Sequence, residues 1–190
     1  MPAKPGERKH QILQVLAEML ENPQAEKITT AALAKKLDVS EAALYRHFAS
    51  KAQMFEGLIE FIEQTLFGLI NKLTGEEKSG LQQIEKILAM LLSFAQKNPG
   101  MTRVLIGDAL VNENERLQAR INQLHDRLEA TLKQALRFAV SQGEIAECDA
   151  AAQANLLMCY VAGRWHQFAK SGFKRDPLEF WQAQKMLLLG

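Results

Sequence analysis

Between Ile28 and Phe48 the apolar positions leave room for little but two short helices joined by a tight turn. Ile28, Leu33, Ala34 and Leu37 fall on one face of the first, Val39 lies in the turn, and Ala43, Leu44 and Phe48 line one face of the second. Two helices closing around these residues cross steeply, and Ala34 keeps the crossing tight where a larger side chain would push the pair apart. Thr29 or Thr30 is placed to cap the first helix and Ser40 the second, because a hydroxyl oxygen accepts from the orphan amides of a first turn. The turn position often held by glycine is Asp38, a residue that tolerates the left-handed region better than most.

With Ala43, Leu44 and Phe48 inward, the open face of the second helix shows Glu41, Ala42, Tyr45, Arg46 and His47. This mixture suits phosphates, base edges and thymine methyls. Arg46 can bind guanine with two hydrogen bonds or hold a phosphate, Ala42 can touch a thymine methyl, and Tyr45 can offer its hydroxyl to a phosphate. The choice between base and backbone stays open. His47 reads as a phosphate contact or a packing residue. Ser50-Lys51-Ala52-Gln53 is a capping box that starts a further helix and turns its positive end, with the Lys51 ammonium, toward the same duplex. Thr30, Ser40, Ala42, Tyr45, Arg46, His47 and Lys51 are therefore the candidate DNA-binding residues. The bland alternative is an amphipathic hairpin with a solvated polar face. Agreement of turn, caps and following helix favours the groove.

Elsewhere the spacing is helical as well, so the chain is all-α. Ile12, Leu13, Leu16, Met19 and Leu20 form one stripe between Arg8 and Glu21, the third leg of a small domain covering residues 1–51. A long helix from Ser50 then leads into residues 52–190 without a glycine-rich or proline-rich linker. In that second domain a helix over Leu81–Lys97 ends at Asn98-Pro99-Gly100, and a short helix follows. A long helix then carries Leu117, Ile121, Leu124, Leu128, Leu132 and Leu136 as far as Gln142-Gly143. Asp149 caps a helix over Ala150–Lys170 that is rich in small residues, and Asp176-Pro177 is expected to open a final helix through Trp181 to Leu189. Two closing helices this apolar suggest a surface covered by a second copy. A twofold homodimer in turn requires a palindromic double-stranded site.

Composition excludes other classes. The 190 residues are 47% hydrophobic and 24% charged, ordinary for a folded globular chain. Residues up to Lys51 hold eight Lys and Arg against six Asp and Glu, too small a surplus to reveal nucleic acid unless a dimer doubles it. No export signal is read at the beginning, and apolar runs such as Ile87–Leu92 are far short of a membrane span. Cys148 and Cys159 match no metal spacing and read as reduced thiols. His10, His47, His125 and His166 have no ligand spacing around them, and no phosphate-cradling glycine loop is present. No enzyme, metal or cofactor is expected, and Asp108, Glu113 and Glu115 read as a solvated helix start.

The run Val39-Ser40-x3-Leu44-Tyr45-x-His47-Phe48-x-Ser50-Lys51 resembles the DNA-binding domain of the TetR family of bacterial regulators. Beyond it, Leu58-Ile-Glu-Phe-Ile-Glu63, Asn98-Pro99-Gly100 with Thr102-Arg103, and Arg120-Ile-Asn-Gln-Leu124 resemble the nucleoid occlusion branch of that family. Similarity past the DNA reader is informative, since these regulators share their readers and usually differ elsewhere. The resemblance implies a TetR-like architecture in which the last two long helices pair across a twofold axis. It also implies a cytoplasmic, nucleoid-associated protein that antagonises the tubulin-like division GTPase FtsZ when bound to DNA. Phe61, Lys97 and Asn98 are the partner-binding candidates by that resemblance, with core filling and an ordinary helix end as their plainer roles. The competing expectation is a repressor whose second domain holds a small apolar ligand.

Overall fold

The computed structural model describes residues 5–22, 28–111 and 113–190, and among these there is no strand. The reader consists of α1 (Pro5–Leu20), α2 (Thr30–Lys36) and α3 (Glu41–Tyr45). Ile12, Leu16, Leu33, Ala34, Leu44 and Phe48 are all buried between these helices. Met54, Phe55 and Leu58 of α4 (Lys51–Glu76) complete that core before the helix runs on into the second domain. The long helix is therefore a structural member of both halves.

The second domain adds α5 (Gly80–Lys97), α6 (Pro99–Leu105), a single 3₁₀ turn (Asp108–Leu110), α7 (Glu115–Ser141), α8 (Ala150–Lys170) and α9 (Trp181–Leu189). α7 packs chiefly between α5 and α8. Its six leucine and isoleucine positions from Leu117 to Leu136 are 0–1% exposed, so the stripe is bundle core. Gly143 adopts φ 70° just after α7, and Asp149 accepts from the Ala151 and Ala152 amides, so both ends of that connection are as the residue types require. The corner at residue 98 is tighter than expected. Asn98 ends α5 and starts α6 with no residue between, and Pro99 stands in the first turn of α6, where its missing amide costs nothing.

The final helix is a correction. Asp176 does accept from the Leu178 amide at 2.8 Å, but residues 177–180 form turns and α9 begins only at Trp181. Arg164 of α8 explains this, since its guanidinium donates to the carbonyls of Asp176 (2.6 Å), Pro177 (3.1 Å) and Glu179 (2.9 Å). Those oxygens are engaged by the guanidinium, with Asp176 also closing a three-residue turn to the Glu179 amide at 3.1 Å, and Phe180 takes a left-handed φ of 66°.

One polar group sits poorly in this core. Trp165 is fully buried and donates from Nε1 to the Leu91 carbonyl at 3.0 Å, while the His125 ring lies 5.8 Å from it with Nε2 buried and unpartnered. Burial lowers the His125 pKa from 6.5, against the smaller opposing pull of a hydrogen bond to the Leu105 carbonyl and the charge of Asp126. The folded protein thus resists a proton that the unfolded chain accepts near 6.5. Stability is intact above that pH and falls below it, with a slope of at most ~1.4 kcal/mol per pH unit until the folded group also titrates. Denaturant unfolding of wild type and His125→Gln at pH 7.5 and 5.5 checks this. The acid loss should shrink in the variant, and an equal loss in both proteins would assign it to other groups.

Candidate nucleic-acid interface

The turn between α2 and α3 is fixed by three local features. The Thr29 hydroxyl accepts from the Ala32 amide at 3.1 Å, Ser40 accepts from the Ala43 amide at 3.2 Å, and Asp38 sits at φ 53°. Thr29, not Thr30, therefore caps α2. The Thr30 hydroxyl is left to donate to Glu41 Oε2 at 2.6 Å and to accept from Tyr45 at 3.4 Å. This string ties the first residue of α2 to both ends of α3 across the outer surface.

α3 itself is short. Ala42 and Tyr45 lie on it and are exposed, Arg46 is its exposed C-terminal cap, and His47 follows in the turn, half-buried. Tyr45 keeps 46% of its surface open although it is large and aromatic. Ser50 accepts from the Gln53 amide at 3.2 Å, and Gln53 Oε1 returns to the Ala49 amide at 2.8 Å. The reciprocal bond of this cap thus falls one residue earlier than in the usual box.

Lys51 departs most from a freely solvated clamp. Its Nζ lies 2.5 Å from Glu113 Oε1, with the two side chains 22% and 11% exposed, and 5.6 Å over the Phe55 ring. Glu113 comes from the segment before α7. It is not solvated as its sequence setting suggested, and Asp108 is paired too, with Arg103 at 2.7 Å and with Lys170. Of the three carboxylates only Glu115 is exposed in the first turn of α7. One turn along α4, Glu56 meets Arg116 at 2.8 Å, so successive ion pairs hold the reader's end of α4 to the first turn of α7 and the segment before it.

A second feature lies where α1, α4 and the α5–α6 corner meet. Phe61 and Asn98 line one cleft of about 340 Å³ together with His10, Leu13, Ala17 and Met101. The His10 ring stands edge-on to Phe61 at 5.1 Å, and Asn98 Nδ2 donates to the Phe94 carbonyl at 2.8 Å. Lys97 is exposed at the end of α5 but is not part of the lining. The contribution of α1 to this cleft was not foreseen, because its residues read equally well as the reader's own third leg.

Residues 12–58 match the family described as bacterial regulatory proteins, tetR family, and residues 78–190 match the SlmA-like family described as tetracyclin repressor-like, C-terminal domain. The chain is similar to the nucleoid occlusion factor SlmA of Alteromonas mediterranea, at 55% identity over 97% of this chain and 95% of that one. It is also similar to SlmA of Marinomonas sp., at 50% identity over 99% and 96% of the two chains. Among solved structures, a TetR transcription regulator from Haloarcula marismortui superposes with a TM-score of 0.83 at 16% identity, covering 97% of each chain. The regulator FadR from Bacillus subtilis, solved with stearoyl-CoA, gives 0.78 at 16% identity over 95% and 97% of the chains. These two establish the fold alone. With the reader and the second domain each matched, and with relatives at least half identical along nearly their whole length, the chain belongs to the TetR family, in its SlmA-like branch.

Proposed function

We infer that this protein is a nucleoid occlusion factor, a sequence-specific DNA-binding homodimer that antagonises FtsZ ring assembly from palindromic chromosomal sites. The observation that carries this reading is the identity with SlmA proteins through the second domain, beyond the reader that all TetR-type regulators share. The same observation disfavours a ligand-responsive repressor. Ala42, Tyr45 and Arg46 are assigned to the groove, and Thr30, Ser40, His47 and Lys51 to the flanking phosphates. Lys51 must exchange Glu113 for phosphate to serve there. The cleft between Phe61 and Asn98, with exposed Lys97 beside it, is the assigned seat of the protein partner. No helix among the described residues is long and apolar enough to cross a membrane, which accords with a protein acting on the nucleoid in the cytoplasm.

The test adds purified protein to polymerising FtsZ with and without a palindromic fragment selected from the host chromosome. Polymers should be suppressed, more so with DNA. Phe61→Ala should lose suppression while keeping DNA affinity. Arg46→Ala, if the guanidinium reads a base, should weaken binding by about 1–3 kcal/mol and relax one position, and Lys51→Ala should lower the salt slope by about 1 on every sequence. Polymers unchanged in both conditions would reject the division role and leave a repressor.

A further inference from the structure

The reader is fastened to the body at a point remote from the groove-facing residues. At its C-terminal end α1 exposes carbonyls that have no partner within the helix. Arg103 of α6 reaches this end, its Nη1 donating to the carbonyl of Leu20, the last residue of α1, and to that of Asn22 two residues beyond it, at 3.2 Å each. Its Nε donates to Asp108 Oδ2 at 2.7 Å, and Asp108 Oδ1 accepts from Lys170 Nζ on α8. The central pair is nearly enclosed, with Arg103 15% and Asp108 18% exposed. Burial works to raise the Asp108 carboxyl, but the hydrogen bonds from Lys170 and Arg103 outweigh it and hold the group below the usual carboxylate value. The carboxylate is thus a lasting anion between two cations.

Geometry makes this more than a helix cap. A guanidinium is planar, so its Nε and Nη1 are fixed relative to each other. The carboxylate that sets its plane also sets where the end of α1 and the residues just after it must lie. Asp108 is tied to α8, one of the two helices whose outer surface stays apolar and open: Leu156 is 56% exposed there, and Leu187 of α9 is 85% exposed. One polar chain therefore runs from the reader's first helix to the helix that would face a second copy. In a twofold dimer the separation of two readers depends on how each reader sits on its own body. Each base pair of spacer moves a half-site by about 3.4 Å along the duplex and turns it by roughly a tenth of a revolution, so a small tilt of α1 changes the register accepted.

We propose that Arg103, anchored by Asp108, is a positioning residue for DNA recognition that fixes the reader's tilt and so the half-site spacing the dimer accepts. This rests on the twofold DNA-binding reading above. The experiment measures binding of the full-length dimer to duplexes that keep both half-sites and change only the spacer, one base pair at a time. Wild type should prefer one spacing over its neighbours by at least about tenfold, comparable with the effect of one mismatched base pair. In Arg103→Gln and in Asp108→Asn that preference should fall to about twofold or less, with affinity for a duplex carrying a single half-site unchanged. Arg103→Lys, which can serve only some of the acceptors, should fall between.

A sharp spacing profile retained in both variants, whether at full affinity or uniformly weakened, would overturn the proposal and leave Arg103 a stabilising cap. Asp108→Asn keeps the Arg103 side chain and removes only the charge that orients it, so it decides the matter if Arg103→Gln does not fold. A flat profile in wild type overturns the positioning role alone. Wild-type protein that binds none of the duplexes removes the DNA-binding function, and this proposal with it.

Discussion

Gly100→Ala is expected to destabilise the protein by about 2 kcal/mol or more and to loosen the reader from the second domain. Gly100 is buried in the first turn of α6, where that helix lies across α1. A Cβ added there would stand 2.0 Å from the Ala17 carbonyl oxygen, 3.0 Å from its carbon and 3.1 Å from Leu20 Cβ. The closest atoms are helix backbone, which cannot swing aside as a side-chain tip can, so α1 as a whole must move. Overpacking of this kind costs about 1–3 kcal/mol, occasionally more, and a contact against rigid backbone belongs at the upper end. The helix-propensity gain of alanine over glycine, at most ~1 kcal/mol, offsets part of it. In a domain of this size the remainder lowers Tm by roughly 4–8 °C. Gly68→Ala on α4 is the matched control, since nothing lies within 4 Å of its Cβ and the propensity gain acts alone. Denaturant unfolding of the two variants should move in opposite directions. Equal stability of Gly100→Ala and wild type would mean that α6 and α1 are not pressed together as described.

The same glycine shows where sequence reasoning reached its limit. Asn98-Pro99-Gly100 reads as a helix stop because each residue discourages continuation, and α5 does stop there. Nothing local reveals that Pro99 is already helical or that Gly100 is small because another backbone touches it. By contrast, most of the reader's turn was legible: Asp38, Ser40 and Ser50, like Thr29, act on amides within three residues of themselves or take a backbone conformation of their own. Local chemistry could not choose Thr29 over Thr30, because the choice depends on Glu41, eleven positions from Thr30. Asp108 and Glu113 were misread for the same reason at longer range. Lys51, the partner of Glu113, and Lys170, one of the two partners of Asp108, are each 62 positions away, and a carboxylate near a helix start has the same appearance whether solvated or enclosed. The cleft at Phe61 depends on α1 serving two surfaces, which a single hydrophobic stripe does not disclose.

Leu156→Glu is expected to yield a folded monomer whose affinity for a palindromic site falls at least about 100-fold. On α8, Ala152, Leu156, Cys159 and Gly163 follow one another at spacings of four, three and four, and all are exposed in the single chain. No side chain or backbone outside α8 lies within 4 Å of where a Gly163 Cβ would be. On α9, Met186 is 64% and Leu187 85% exposed, and Phe180 in the preceding turn is 63% exposed. Apolar groups left open on two adjacent helices mark a surface that something covers, and small residues among them allow another helix to approach closely. If a second copy covers it about a twofold axis, each dimer buries two introduced carboxylates in an apolar contact. Removing such charges from water without partners costs roughly 3 kcal/mol or more, which corresponds to about 100-fold in association. The intrachain core loses little, since Leu156 is already 56% exposed, so helix content and the protomer's unfolding midpoint should hold. DNA binding then fails because one reader must do alone what two did together, with the second half-site no longer at high effective concentration. Sedimentation velocity and DNA titration on the same preparation separate the steps, and Leu156→Met should leave both at wild-type values. A Leu156→Glu protein that still sediments as a dimer at micromolar concentration would place the twofold contact elsewhere and leave this apolar face to a different partner.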